Sequence, residues 1–296
     1  MKNTINKTPA QQPAQPAQLP QGFSTETLKT VAVIAVLVLA FTNWDAVVAI
    51  MVNAMIFIYG LVGQNFGLAI ILFTILIRVV TWPLNAQQMK GAAAMQDMQN
   101  DKEWQAIQKK YAKDKEKLAQ EQMRVYREKG INPFGSCLPT LIQFPILFAL
   151  IPSITYAIGS TPLSVLKLSR FLYGFQDAAS LIPLNSKFLW MDLGLPERTF
   201  IPGLEWGIPV LALIVGLTTF VQTKLTMPPS ANPNDQAAQT SKMMAIYMPI
   251  MLFFFSLNYA SGLAVYFITS NLLAIAQYAM MGKVNWRNLL PGGQKK

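Results

Sequence analysis

An all-α polytopic membrane protein is the fold class this sequence predicts, and three observations predict it. The 296 residues are 52% hydrophobic and 13% charged, against about 25% charged in an average soluble domain, and the mean hydropathy is positive. Several apolar runs approach the roughly 20 residues that a helix needs to cross the hydrocarbon. The Lys and Arg residues behind the net charge of +10 crowd between those runs. That pattern reads as a bias toward the cytoplasmic face, without direct nucleic-acid sequence recognition, which needs a basic patch on a soluble fold.

The elements follow in order. Residues 1–27 are rich in Gln, Pro and Ala without apolar periodicity and predict a disordered tail. Residues 28–44 read as a signal-peptide core or a first membrane anchor. The late start and the absence of a small-residue cleavage site before Trp44-Asp45 favour an uncleaved anchor. Residues 45–63 are apolar but broken by Asn53, Tyr59 and Gly60. With no Lys or Arg between Thr30 and Ile77, a full span here would invert everything downstream, so a helix lying along the outer interface is predicted. The core, 64–282, begins with the spanning run Phe66–Leu84, which ends at Trp82-Pro83, an interface aromatic followed by a kink or stop.

Residues 86–130 differ in kind, with ten Lys/Arg and seven acids, and neither Gly nor Pro between Gly91 and Gly130. Met98, Trp104, Ile107 and Tyr111 share one helical face, and Leu118, Val125 and Tyr126 another. Two amphipathic helices turning near Ala112–Lys115 and closed by Gly130 and Asn132-Pro133 make a charged cytoplasmic hairpin. It reads either as a solvated loop that fixes topology or as a docking or gating element. Next come a span over Cys137–Ile158, an extracytoplasmic loop over 160–203 with only four Lys/Arg, and a span over Leu204–Thr223. A flexible inner loop, 224–242, leads to two last spans, Met243–Tyr259 and Leu263–Met281, joined by the turn Ala260-Ser261-Gly262. The basic tail 283–296 ends the chain inside. Six spans result, a multi-pass protein of the plasma (inner) membrane with both termini cytoplasmic.

Much chemistry is excluded. There is no histidine, and Cys137 is the sole cysteine, which removes His-based catalysis, disulfides and the usual zinc ligand sets. Neither HExxH nor a GxxxxGK[ST] loop occurs. The chain reads as no enzyme, with no metal site and no cofactor.

The feature left standing is Arg78. An arginine stays charged, and near the centre of a membrane helix it costs about 2.5–3.5 kcal/mol on insertion scales. Thr74, Arg78, Thr81 and Asn85 form one polar stripe at spacings of four, three and four. No carboxylate stands in the interior of any span to neutralise the charge, so Arg78 should face water or a polar cavity. Other spans add Gln143, Thr218, Thr219, Gln222, Ser270, Asn271 and Gln277. Each taken singly reads as an interhelical hydrogen bond worth about 0.6 kcal/mol. Together around one cation they describe a wet pocket.

At this point LAIILFTILIRVVTWPLNAQQMK, VYREKGINPFGSCLPTLIQFPILFAL, FLWMDLGLPE and YASGLAVYFITSNLLAIAQ together resemble the YidC/Oxa/Alb membrane protein insertases, in the same order over roughly residues 50–282. The resemblance implies an N-terminal anchor plus five core helices enclosing a hydrophilic groove that is open to cytoplasm and lipid but closed outside. It places Arg78, Thr74 and Gln143 in the groove, where Thr81, Gln222 and Ser270 join them as polar candidates. Leu147, Val215, Phe255, Tyr266 and Phe267 match apolar positions of a slide along which a substrate segment passes. Val215 stands where a bulkier residue is common. The hairpin, with Trp104, Lys109, Lys110, Tyr111, Lys113 and Arg124 as docking candidates, is implied to receive substrates and contact the ribosome, targeting factors or the general translocon. The large periplasmic domain of Gram-negative members is missing here, since only about twenty residues separate the first span from the core.

The implied activity is insertion and folding of nascent membrane proteins into the lipid bilayer without nucleotide hydrolysis. A small-solute or anion transporter using Arg78 is the alternative, and it predicts a pseudo-repeat and broken helices in both halves. An assembly factor docked on the translocon is a third reading.

Overall fold

The computed structural model of the chain describes residues 35, 38, 39, 41–99, 101–112, 114–131, 138–158, 162–173, 184–200, 207–226 and 236–282. It divides into two units, Met1–Thr42 and Asn43–Lys296. In the first, the described positions are helical, and Thr42 Oγ1 donates to the carbonyls of Val38 and Leu39 at 2.9 and 3.1 Å. The expected tail over 1–27 and most of the 28–44 anchor lie outside the described residues, as does the 283–296 tail. Trp44, read as the end of the anchor, instead opens the first helix of the second unit.

That helix, α1 (Trp44–Leu61), is followed by a tight turn with Gly63 and Gln64 at positive φ. Asn65 then caps α2 (Phe66–Val80), its side chain accepting the Leu68 N–H at 3.0 Å and satisfying one of the orphan donors of the first turn. The helix stops earlier than its apolar run. Thr81 is a turn, and α3 (Trp82–Gln99) starts again with Pro83 in its first turn, where a missing N–H is harmless. The two helices meet at 58°.

Two amphipathic helices were expected in the charged segment. Three occur, because Asp101 interrupts the helical run and recaps it. Asp101 accepts the Glu103 N–H at 2.8 Å to open α4 (Lys102–Lys110), and Asp114 accepts the Lys117 N–H at 3.1 Å to open α5 (Lys115–Glu128). Met98, Trp104, Val125 and Tyr126 bury against one another, with Ile107, Leu118 and Ile131 packed around them. The charged segment therefore has a hydrophobic core of its own, closed by an ion pair from Lys129 to Asp101.

The remaining helices are α6 (Leu138–Ile158), α7 (Pro162–Phe171), α8 (Val210–Thr226), α9 (Gln236–Asn258, with Pro249 inside) and α10 (Ser261–Met280). Ser261 and Gly262, read as a turn, belong to the first turn of α10. The 160–203 segment, read as loop, holds α7 and a two-residue-strand hairpin, β1 (Lys187–Phe188) antiparallel to β2 (Met191–Asp192).

This hairpin and its flanks cap the bundle, and five helices hold it. The Tyr59 hydroxyl of α1 accepts the Asn185 N–H at 2.9 Å. The Phe188 ring lies on Gly67 of α2, where any β-carbon would collide with it. Ile158 of α6 packs on Gly194. The N–H groups of Ser261 and Gly262 in α10 donate to the carbonyls of Leu195 (2.9 Å) and Leu193 (3.0 Å), and the Ser261 hydroxyl also bonds the Leu195 carbonyl. Glu197, buried, accepts from Thr199 Oγ1, from Trp190 Nε1 at 3.4 Å, and from the Leu211 N–H at the start of α8 at 3.0 Å. A buried carboxylate is tolerated here because its oxygens are met by donors, one at a helix N-terminus.

Beneath the cap, Phe66, Ile70, Phe73, Leu150, Ile154, Leu193, Leu211, Val215 and Leu263 to Phe267 form the central core. By length and composition among the described residues, α1 and α10 can each cross a bilayer, as can α2 with the first part of α3. The apolar stretches in α6, α8 and α9, read from sequence as spans, are shorter: Leu147–Tyr156, Val210–Thr226 and Ala245–Asn258.

Candidate functional site

The predicted stripe on α2 meets α10 and, through it, α8. A β-carbon at Gly262 would lie 3.0 Å from Ile70 Cδ1, and eight residues further along each helix Arg78 bonds Ser270. The two helices thus run parallel in constant register, and Arg78 lies about 12 Å from the Ile70–Gly262 level at 1.5 Å per residue. A β-carbon at residue 262 would be crowded at that level, since Ile70 Cδ1 and Ile154 Cγ2 would stand 3.0 and 3.1 Å from it.

Arg78 is half-buried, and its Nη2 donates to both the Ser270 carbonyl (2.9 Å) and the Ser270 hydroxyl (2.6 Å). No carboxylate pairs with it among the described residues. Thr74 is buried and donates to its own helix at the Ile70 carbonyl (2.6 Å), while Thr81 does the same at Ile77 (2.8 Å) and accepts from Asn85 Nδ2 at 3.3 Å. Asn271, next to Ser270, donates to Thr218 Oγ1 (3.2 Å) and Thr219 Oγ1 (2.8 Å) across on α8. One polar layer therefore crosses three helices, Arg78 to Ser270 and Asn271 to the Thr218-Thr219 pair.

Gln222 lies half-buried one turn beyond Thr218 on α8, while the Arg78 guanidinium bonds Ser270. Gln143 is on α6, but its side chain lies outside the described residues. Two buried polar atoms, Gln277 Nε2 and Ser256 Oγ, have no hydrogen-bond partner among the described residues.

The five apolar positions gather in one place. Val215, Tyr266 and Phe267 are buried in the central core, with Leu147 and Phe255 at its margin. Phe255 meets the edge of Phe267 at a 6.3 Å centroid distance and stacks on Tyr259 at 4.0 Å. These residues face the bundle interior, whereas the exposed apolar face of α2 is Leu68, Leu72, Leu76 and Val79.

The docking candidates on the charged hairpin divide. Trp104 is 1% exposed and is a core residue of the hairpin, so it is removed from any docking surface. Its position on the apolar face of α4 requires this burial. Lys109 and Lys110 are exposed, and the Lys110 ammonium sits 5.2 Å from the Tyr111 ring centre. Arg124 is half-exposed between Glu121 (2.7 Å) and Glu128 (3.3 Å), which hold its charge on the guanidinium more firmly than usual. Lys113 lies outside the described residues. No group of three or more potential metal ligands occurs among the described residues.

Sequence reasoning missed the Glu197 and Ser261 anchors of the cap and the Asn53 contacts. Asn53 Nδ2 reaches the Phe171 carbonyl at 2.6 Å and its Oδ1 accepts the Tyr173 N–H at 2.9 Å. An asparagine inside an apolar helix was the available signal, as was a glutamate beside proline at the end of FLWMDLGLPE.

Residues 57–287 match the family described as 60Kd inner membrane protein. The chain is 34% identical over 264 residues to the membrane protein insertase MisCA of Bacillus subtilis, covering 86% of each chain. It is 38% identical over 220 residues to the membrane protein insertase YidC of Fusobacterium nucleatum, covering 74% of this chain and 87% of that one. With the YidC of Chlorobaculum tepidum it shares 33% identity but spans only 32% of that longer protein. A crystal structure of an active YidC insertase with its first transmembrane domain resolved superposes with a TM-score of 0.51 at 26% identity, covering 82% of this chain and 49% of that one. By sequence and by fold, the chain belongs to the YidC/Oxa/Alb family of membrane protein insertases.

Proposed function

We propose that this chain inserts and helps fold membrane proteins through a hydrated groove centred on Arg78, without nucleotide hydrolysis. The observation that carries the reading is a guanidinium within an apolar helix whose bonded acceptors, Ser270 O and Oγ, are both neutral. A cation left without a carboxylate within a membrane helix attracts one. The acidic residues of a substrate's translocated end supply that charge. Leu147 and Phe255, at the margin of the core that holds Val215, Tyr266 and Phe267, then guide the apolar segment toward lipid, where burial of roughly 20 residues drives completion.

Orientation follows from charge. The hairpin with its lysines faces the cytoplasm, where Lys109, Lys110 and neighbouring charges meet a ribosome, targeting factor or translocon, and both termini share that side. The cap then faces outward, which suits its exposed Leu189, Trp190, Leu195 and Phe200 to the headgroup region. With the cap outside, α1 lies along the outer interface, because Asn53 at its middle and Tyr59 near its end both bond the 160–203 segment.

The test is reconstitution of the purified chain alone in nucleotide-free liposomes, presented with a short single-span protein. Protease-protected insertion is expected, reduced by R78A and largely kept by R78K. Solute flux without insertion would replace this reading with a transporter, and insertion only when a translocon is added would replace it with an assembly factor.

A further inference from the structure

The way Arg78 meets Ser270 has a geometric consequence. A guanidinium offers a carboxylate two forked edges, Nε–Nη2 and Nη1–Nη2, and both contain Nη2. In this structure Nη2 is the nitrogen that is occupied, by the Ser270 carbonyl at 2.9 Å and by its hydroxyl at 2.6 Å. Both acceptors belong to one residue and draw on the hydrogens of that single amino nitrogen. A carboxylate that approaches either fork must therefore compete with Ser270 at Nη2.

We infer that Ser270 is an exchange partner for the substrate's carboxylate. It holds the Arg78 guanidinium in a parked state, must be displaced for a bidentate grip on an acidic residue, and by returning sets how readily that residue is released. Ser270 is held at the right place by its neighbour, since Asn271 ties α10 to Thr218 and Thr219 of α8, and the constant register with α2 keeps residue 270 level with residue 78. Exchange suits a groove that must let its substrate go. Displacing a neutral acceptor offsets part of the gain from the charged one, so the net hold on the carboxylate stays modest.

The inference rests on the groove reading above, and its test separates the two. The full chain in lipid nanodiscs is titrated with a synthetic single-span peptide carrying one aspartate at its translocated end, and with the Asp→Asn peptide. Wild-type chain should bind the aspartate peptide more tightly. S270A should tighten that peptide further, by about threefold to tenfold for loss of one charge-assisted acceptor, and slow its dissociation, while moving the asparagine peptide much less. S270T, which keeps the hydroxyl, should behave as wild type. In an R78K background, whose ammonium has no fork to free, S270A should lose its selective effect. Weaker aspartate binding in S270A, equal shifts for both peptides, or a selective effect that persists with R78K each overturn the exchange role while leaving the groove reading intact. Failure of the wild-type chain to bind either peptide overturns the groove reading and the exchange role together.

Discussion

Helix α2 runs between two very different structures. At its Gly67 end stands the cap, built from few residues of its own and held by α1, α2, α6, α8 and α10 through Tyr59, Gly67, Ile158, Leu211 and Ser261. Beyond its Val80 end stands the charged hairpin, which folds around Trp104 and its neighbours and closes on itself through Asp101 and Lys129. Stability in the cap is shared with the whole bundle. Stability in the hairpin is local, so the hairpin can open or reorient while the bundle keeps its packing. The proposed groove would lie between them, sealed where five helices are tied to the cap and accessible where α3 bends away from α2.

The contrast can be broken at either end. W104A should cost about 3–5 kcal/mol, the usual loss for a buried large aromatic, and the loss should stay within residues 98–131. Hydrogen exchange of the whole chain checks this, with α10 expected to remain protected. E197A leaves the Leu211 N–H and the Thr199 hydroxyl without their acceptor, at about 1–3 kcal/mol. Its effect should spread, with faster exchange at once in β2 and in the first turns of α8 and α10. If E197A changed only the cap and W104A melted the bundle, the comparison would be reversed.

Smaller effects sharpen it. Leu189 holds φ at +53° at the hairpin turn while its side chain is 75% exposed. L189G should relieve this left-handed strain and raise thermal stability of the whole chain by roughly 1 kcal/mol, since the cap is a shared element. In the charged hairpin, the Lys129 hydrogen bond holds the Asp101 carboxyl below its ordinary 3.8. A depressed carboxyl contributes above that ordinary value and loses its contribution as pH falls through the depressed one. The rate of pepsin nicking within 98–131 should therefore climb below 3.8 in wild type. D101N, which never carries the charge, should start higher and change less over the same range.

Much of this molecule was legible in its sequence, and the reasons for the rest are physical. The cation on α2, its stripe and the charged hairpin are carried by local spacing, which a chain displays directly. Trp104 on the apolar face of α4 also carried its own answer, yet a tryptophan among lysines reads as easily as a docking aromatic. The restart at Trp82-Pro83 was visible as a break, though not as a 58° bend with a second helix beyond it. The cap could not be read, because Glu197 and Leu211 are fourteen residues apart and Ser261 lies 66 from Leu195. Such pairings depend on how five helices converge, and no local pattern records that. The Arg78–Ser270 contact, 192 residues apart, was foreseen only as two polar members of one groove and not as a bonded pair.

The central claim is a groove closed at the cap and open toward the charged hairpin. It is tested most directly with single cysteines at Ile70, Thr74 and Thr81 in a C137S background, each exposed to a membrane-impermeant thiol reagent from one side of the membrane at a time. The account predicts that T81C reacts from the hairpin side, T74C more slowly from that same side, and I70C from neither. Reaction of I70C or T74C from the cap side would contradict it.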